Sequence, residues 1–365
     1  MFSEKAKNHA DACRFCWMCR HTCPVGLVSG KEGNTPRGRA LIISMEYRGI
    51  PLSPDAGELI YECCLCGACT NDCATGYDPT IFTREARTAC VVEGFVPERV
   101  NRVIERAMEG SLFACEPDAA LTHKLELLPR QAPTLLYLGD SATHTAPQSA
   151  LDLMALLELA GETYTALSPE PATGAHLGDL IGYVDEVREM ALSCSERMRQ
   201  TGAERIVVLD PTDARFIKQQ WSAWEIPLEA EVVTATAYVA DLLKNGRLKP
   251  RALGDMGATY HDPCRLARDL DEMEPARAIL AGMGVPVKEM FLNRKLTKCC
   301  SGCVMQQTNP ALAGKIAAAR LGDAKEAGAR LVVTACPGCQ NALAGNAEEG
   351  LEVRDIYSLL RQACK

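Results

Sequence analysis

The stretch CRFCWMCRHTCP, residues 13 to 24, sets Cys13, Cys16, Cys19 and Cys23 at intervals of three, three and four. The stretch CCLCGACTNDCA, residues 63 to 74, repeats those intervals with Cys63, Cys66, Cys69 and Cys73. A disulfide framework does not account for them or for the 19 cysteines in all. A chain of 365 residues, 47% of them hydrophobic, builds its cores without such staples. The start, MFSEKAKNHADAC, lacks the apolar stretch of a secretory signal, and no uncharged apolar run approaches 18 residues. The chain therefore reads as cytoplasmic, where thiols stay reduced, and any membrane association would come through a partner. Metal explains the cysteines better.

Thiolates at C-x2-C-x2-C-x3-C suit a cubane [4Fe-4S] cluster, with three close cysteines around one cluster and the fourth reaching to that of the other copy. Zinc is the rival, although it usually takes ligand pairs separated by a longer finger. The spacing assigns one cluster to Cys13, Cys16, Cys19 and Cys73, and the other to Cys63, Cys66, Cys69 and Cys23, with Pro24 turning the chain away. Between the motifs, GNTPRGRALIISMEYRG predicts a helix with Ala40, Ile43 and Tyr47 on one side, so the motifs sit on helices and loops. Arg37 and Arg39 either raise a nearby cluster's potential by their charge or simply start that helix in solvent.

With 39 basic and 47 acidic residues, the net charge of -8 favours neither nucleic acid nor an anionic membrane as partner. VNRVIERAMEG predicts a helix ended by Gly110, and CEPDAALTHKLELLPRQAP a linker. Short apolar strands then alternate with helical stretches (TLLYLG, ALDLMALLELAG, TYTAL, DEVREMALSCSERMRQTG, RIVVLD), which predicts α/β units with a parallel sheet. A shift of 126 residues lays GAERIVVLDPTD upon GARLVVTACPGC, an internal duplication. The second copy carries Cys264, Cys299, Cys300, Cys336 and Cys339. The first has Gly139, Asp140 and Ser141 near the first of these positions, Thr173 and Gly174 at the adjacent pair, and Asp210 and Asp213 at the CxxC.

YHDPCRLAR, KCCSGC and ACPGCQNAL, together with the two N-terminal motifs and TPRGRALI, resemble the CCG-domain iron-sulfur subunits of heterodisulfide reductase, glycolate oxidase and anaerobic glycerol-3-phosphate dehydrogenase. The resemblance spans essentially the whole chain. It implies an α+β multidomain protein: a helical ferredoxin domain with two [4Fe-4S] clusters (1–115), a linker (116–132), a degenerate CCG-like α/β domain without metal ligands (133–250) and a CCG α/β domain holding a metal cluster (251–365). It further implies that Cys264, Cys299, Cys300, Cys336 and Cys339 hold a noncubane [4Fe-4S] cluster, with zinc on four of these thiolates as the alternative. Cys303 departs from the family's small residues after the pair, as either a spare ligand or a packed thiol. His261 and Asp262 either serve a cluster sulfur or are a polar pair at a strand end. Cys64, Cys90, Cys115, Cys194 and Cys364 read as structural or exposed thiols.

Such a chain is expected to pass single electrons between a partner flavoprotein (FAD), which oxidises a 2-hydroxy acid or similar small substrate, and a further electron-transfer protein or quinone. No Gly-rich strand-turn-helix fingerprint places a dinucleotide on this chain itself. The alternative is disulfide reduction at the C-terminal cluster. A redox sensor or scaffold without turnover would not need three clusters in series.

Overall fold

The computed structural model describes residues 2–365. Helices and loops occupy the chain up to residue 126, and two parallel sheets follow. The first sheet comprises β1 (Thr134–Tyr137), β2 (Tyr164–Ala166), β3 (Arg205–Val208) and β4 (Glu231–Thr234), in the order β2-β1-β3-β4. The second comprises β5 (Ala258–Tyr260), β6 (Leu331–Thr334) and β7 (Glu352–Asp355), in that order. A single parallel bridge from Ala258 to Val287 stands where the first sheet has its β1–β2 pairing. The two halves thus share strand order, and the second has lost most of one edge.

The strands alternate their side chains between two cores, as the period of two requires. Leu135, Tyr137, Ile206 and Val208 pack with Ile43, Phe82 and Val103 of the helical part. Leu136, Leu138, Val207 and Leu209 instead pack with Tyr260, Leu331 and Val333 of the second half. The first sheet is therefore a partition wall, buried on both faces as parallel sheets usually are.

The helix expected from RALIISMEY spans Pro36–Glu46. Thr35 caps it by accepting a hydrogen bond from Gly38 N at 3.1 Å, and Pro36 occupies its first turn. Gly38 is fixed by crowding, since a Cβ there would lie 2.5 Å from the Glu32 carbonyl oxygen. Ala40 and Ile43 are buried, and Tyr47 follows as the C-cap. The stretch expected as a linker contains a helix, Ala119–Glu126, capped by Asp118. Its Leu121 and Leu125 enter the core with Leu136 and Leu153, and that burial outweighs the flanking prolines.

Candidate metal centre

In both N-terminal motifs the residue two positions after the first cysteine takes a left-handed backbone, Phe15 at φ 51° and Leu65 at φ 50°. Non-glycine residues adopt that conformation only at a cost. Here it turns the amide nitrogens back onto sulfur, Phe15 N to Cys13 Sγ and Leu65 N to Cys63 Sγ, each at 3.4 Å. The adjacent pair in the second half repeats the device: Ser301, at φ 65°, donates to Cys299 Sγ at 3.3 Å. Gly26 N and Cys339 N likewise donate to Cys23 and Cys336, each at 3.4 Å. Backbone amides aimed at sulfur are the donors that stabilise anionic thiolates and cluster sulfides.

The thiols form one connected set. Cys13 lies within electrostatic reach of Cys16 and Cys73, and Cys19 of Cys13, Cys23 and Cys16. Cys69 faces Cys66, Cys23 and Cys63. Cys66 packs against Cys299, with Cys64 and Cys264 alongside. Cys300 then lies beside Cys299 and Cys339 and faces Cys336. One cavity is lined by Cys63, Cys64, Cys264, Cys299, Cys300, Cys303, Cys336 and Cys339. It opens where the carboxyl ends of β3, β5 and β6 converge, the usual place for a site in open parallel sheets. Cys64 is therefore part of this seam, packed beside Cys66 and Cys299, with its Sγ donating to Ser301 Oγ at 3.9 Å. Cys90 and Cys194 are buried in the core, Cys115 is exposed and Cys364 is half-buried.

Metal-free, most of these thiols would stay neutral. Burial pushes Cys19 up to about 11 and raises Cys69 well above the ordinary range, with Cys66 adding to the latter. Two depart from this: Cys300 is held at about 6 by hydrogen bonds from Cys299 and then Cys339, and at Cys73 partial burial is outweighed by hydrogen bonds from Thr75, which lower it. A metal supplies the positive charge that keeps such groups as thiolates.

The surrounding arginines show what charge belongs here. Arg39 faces Cys63 and Cys23, Arg87 faces Cys63, and Arg268 faces Cys66, Cys264 and Cys299. Arg39 and Arg87 are 1% and 2% exposed. Among the described residues none of the three pairs with a carboxylate, and Arg39 Nη2, Arg87 Nε and Arg268 Nη2 are buried without a hydrogen-bond partner. Buried guanidinium groups require compensating anions, and thiolate-bound iron-sulfur clusters are anionic. The residues fit that group. Arg39 is thus not a solvated helix start, and neither is Arg37, which binds Glu32 and the Phe15 carbonyl oxygen and lies over the Trp17 ring.

His261 and Asp262 separate in role. Arg320 Nε donates to His261 Nδ1 at 3.2 Å, so the ring proton belongs on Nε2, which has no partner; one ring nitrogen of His261 lies within 4.8 Å of the Cys300 and Cys339 sulfurs. Burial and then Arg320 lower His261 to about 3, which keeps it neutral. Asp262 is engaged by Arg277 at 2.7 and 3.0 Å and by Arg294 N at 2.8 Å, a structural assignment.

Sequence reasoning missed Asp179, whose carboxylate takes Arg84 Nη2 at 3.1 Å and Arg265 Nη2 at 2.6 Å. It also missed Arg87, Arg265, Arg268 and His176. Their only signal is a position in the folded chain.

Comparison with known proteins agrees with this geometry. Residues 9–77 match a 4Fe-4S dicluster domain, and residues 258–344 match the cysteine-rich CCG domain. A component of the dihydromethanophenazine:CoB–CoM heterodisulfide reductase of Methanosarcina acetivorans is 26% identical over 97% of this chain and 93% of its own length. The glycolate oxidase iron-sulfur subunit of Escherichia coli is 21% identical over 98% of this chain and 95% of its own length. The crystal structure of a hypothetical protein from Helicobacter pylori shares the fold, with a TM-score of 0.58, 11% identity and coverage of 100% of this chain and 73% of that one. A dicluster domain ahead of a CCG domain thus stands in a chain that is similar along its length to components of redox complexes.

Proposed function

We propose that the chain relays single electrons between a flavoprotein dehydrogenase, acting on a 2-hydroxy acid or similar small substrate, and a further acceptor such as a quinone or electron-transfer protein. The observation that carries this reading is the unbroken file of thiols from Cys16 to Cys339. In the proposed assignment Cys13, Cys16, Cys19 and Cys73 hold one cubane, and Cys63, Cys66, Cys69 and Cys23 a second. Cys264, Cys299, Cys300, Cys336 and Cys339 hold a noncubane cluster. The proposed domains are 1–115, 133–250 and 251–365, with 116–132 between them. Clusters would supply one-electron storage. The chain's own residues supply amide donors to sulfur, buried guanidinium charge, and the unpartnered ring N–H of His261 beside the sulfurs of Cys300 and Cys339. Cys16 is exposed beside Phe15, Trp17 and Met18, all about half exposed, which suits electron entry from a partner.

Anaerobically purified chain is expected to carry about twelve irons, to be reduced by a chemical reductant and to oxidise no hydroxy acid unaided. About sixteen irons would require clusters in both α/β halves, and about eight with four-sulfur zinc would put zinc among the CCG cysteines. Robust dehydrogenase turnover by the chain alone would overturn the relay.

Crossed ligation has its own test. Cys23 is buried and faces Cys66 and Cys63. Cys23→Ala is expected to lose the spectroscopic signal of the cluster at Cys63, Cys66 and Cys69, or convert it to a three-iron form, while the other cubane persists. Damage confined to the cluster at Cys13 would reverse the assignment.

A second reading, disulfide reduction at the CCG site, is favoured by the higher identity to the heterodisulfide reductase component than to the glycolate oxidase one. Reductant-dependent cleavage of a small thiol disulfide, abolished by Cys300→Ser, would support it.

A further inference from the structure

His176 and Cys303 lie 127 positions apart in the sequence with Asp210 between them, yet the ligand atoms of all three fall within 4.8 Å of one another, and all three are enclosed. His176 stands on the helix Ala175–Ile181 and Asp210 precedes the helix Pro211–Arg215, both in the first half. Cys303, at φ 57°, comes from the second half, just before the helix Val304–Thr308. The replacement of the CxxC thiols in the first half predicts that it lacks ligands. The fold nevertheless combines two of its residues with a thiol from the other half.

These groups lack the partners that buried polar groups ordinarily have. His176 is 9% exposed and neither ring nitrogen has a hydrogen-bond partner. Asp210 is fully buried; its Oδ1 accepts from Thr212 N at 2.7 Å, which leaves Oδ2 unpartnered. Ser141 Oγ lies 3.3 Å from Cys303 Sγ. Gly338 is required by that thiol, because a Cβ there would stand 2.2 Å from the sulfur. The surroundings are acidic: Asp213 and Glu170 are buried nearby, and among the described residues neither they nor Asp210 pairs with a lysine or arginine. Burial and then Asp210 push the Asp213 carboxyl up, as expected where negative charge outnumbers positive.

We propose that His176, Asp210 and Cys303 form a mononuclear divalent-metal site, distinct from the iron-sulfur centres, whose matching ion is zinc. One imidazole nitrogen, one carboxylate oxygen and one thiolate are three zinc ligands of the kinds that leave a fourth position open. Ligand atoms on a tetrahedral zinc lie about 3.5 Å apart, so modest side-chain rotations close the site. Ser141 and the Thr212 amide orient the thiolate and carboxylate from outside. His176 and Cys303 also line the cavity shared with Cys300 and Cys339, so the open position faces the CCG thiols and takes water or a small anionic ligand.

The test uses full-length chain prepared anaerobically with its iron and incubated with one equivalent of zinc. Wild type is expected to retain about one zinc per chain after desalting, and X-ray absorption at the zinc edge to show one sulfur and two or three nitrogen or oxygen ligands. His176→Ala and Asp210→Ala are expected to lose the zinc at least tenfold with iron and sulfide unchanged. A four-sulfur zinc shell, no retained zinc in wild type, or iron loss in Cys303→Ser would each overturn the site. The zinc-edge reading needs no variant to fold, and it is independent of the iron count that tests the electron relay.

Discussion

Replacing Asp179 with Asn is expected to destabilise the protein by about 3–5 kcal/mol, the usual cost of removing one partner from a buried charge network. Asp179, in the first half, receives Arg84 from the helix Pro79–Glu93 and Arg265 from the second half. Arg87 adds a hydrogen bond to the Asp179 backbone carbonyl. All three parts of the fold therefore meet at one carboxylate. Asn keeps the shape but leaves two buried guanidinium groups facing each other. Denaturant unfolding of anaerobic protein measures the loss, and adding Arg84→Met to Asp179→Asn should recover part of it. A loss below about 1 kcal/mol would refute the role. The pH dependence has a definite sign. Burial opposes ionisation of Asp179, but Arg265 and Arg84 prevail and hold the carboxyl well below its ordinary range. A depressed folded value means the contribution is complete above about pH 4 and is lost only as pH falls toward the folded value. Wild type, but not Asp179→Asn, should lose stability through this acid window.

Arg268→Met is expected to lower the potentials of the two clusters proposed nearest the seam by roughly 50–130 mV. A unit charge several ångströms away, in an effective dielectric of about 20, is worth on the order of 1–3 kcal/mol. Reduction adds negative charge, so a buried cation favours the reduced form and its removal disfavours it. Arg268 is held in place by the Cys66 and Thr297 carbonyl oxygens, at 2.7 and 2.6 Å. It faces Cys66, Cys264 and Cys299, so the cluster proposed at Cys13 serves as an internal control. An electron paramagnetic resonance titration reads all of them. Equal shifts everywhere, or none at the seam, would show that Arg268 does not tune them.

Local chemistry was readable from the chain. Cysteine spacing announced the dicluster region, the alternation of short apolar strands with helical stretches announced the parallel sheets, and the 126-residue shift placed β6 on β3. TPRGRALI gave a capped helix because its cap, proline and apolar stripe are all local. What stayed hidden depends on distant pairing. Arg268 reads as an ordinary arginine until the fold brings it to Cys66, 202 positions away. His176 carries no motif, and its neighbour Cys303 belongs to the other half of the duplication. The helix Ala119–Glu126 was obscured by prolines on both sides, and its two buried leucines find partners only in the assembled core.

The contact of Cys66 with Cys299, flanked by Cys64 and Cys264, bears on how such a protein is made and handled. Those sulfurs come from opposite sides of a seam and shield one another from solvent. Inorganic centres placed there have to be loaded before the seam closes, or delivered through the cavity beside it. A fragment cut between the helical part and the sheets would lay bare to dioxygen the Cys66 side of the second cubane proposed for it. Division into separately expressed pieces is thus expected to shorten the lifetime of that centre in air far more than that of the one at Cys13, whose Cys16 is already open to solvent in the intact chain.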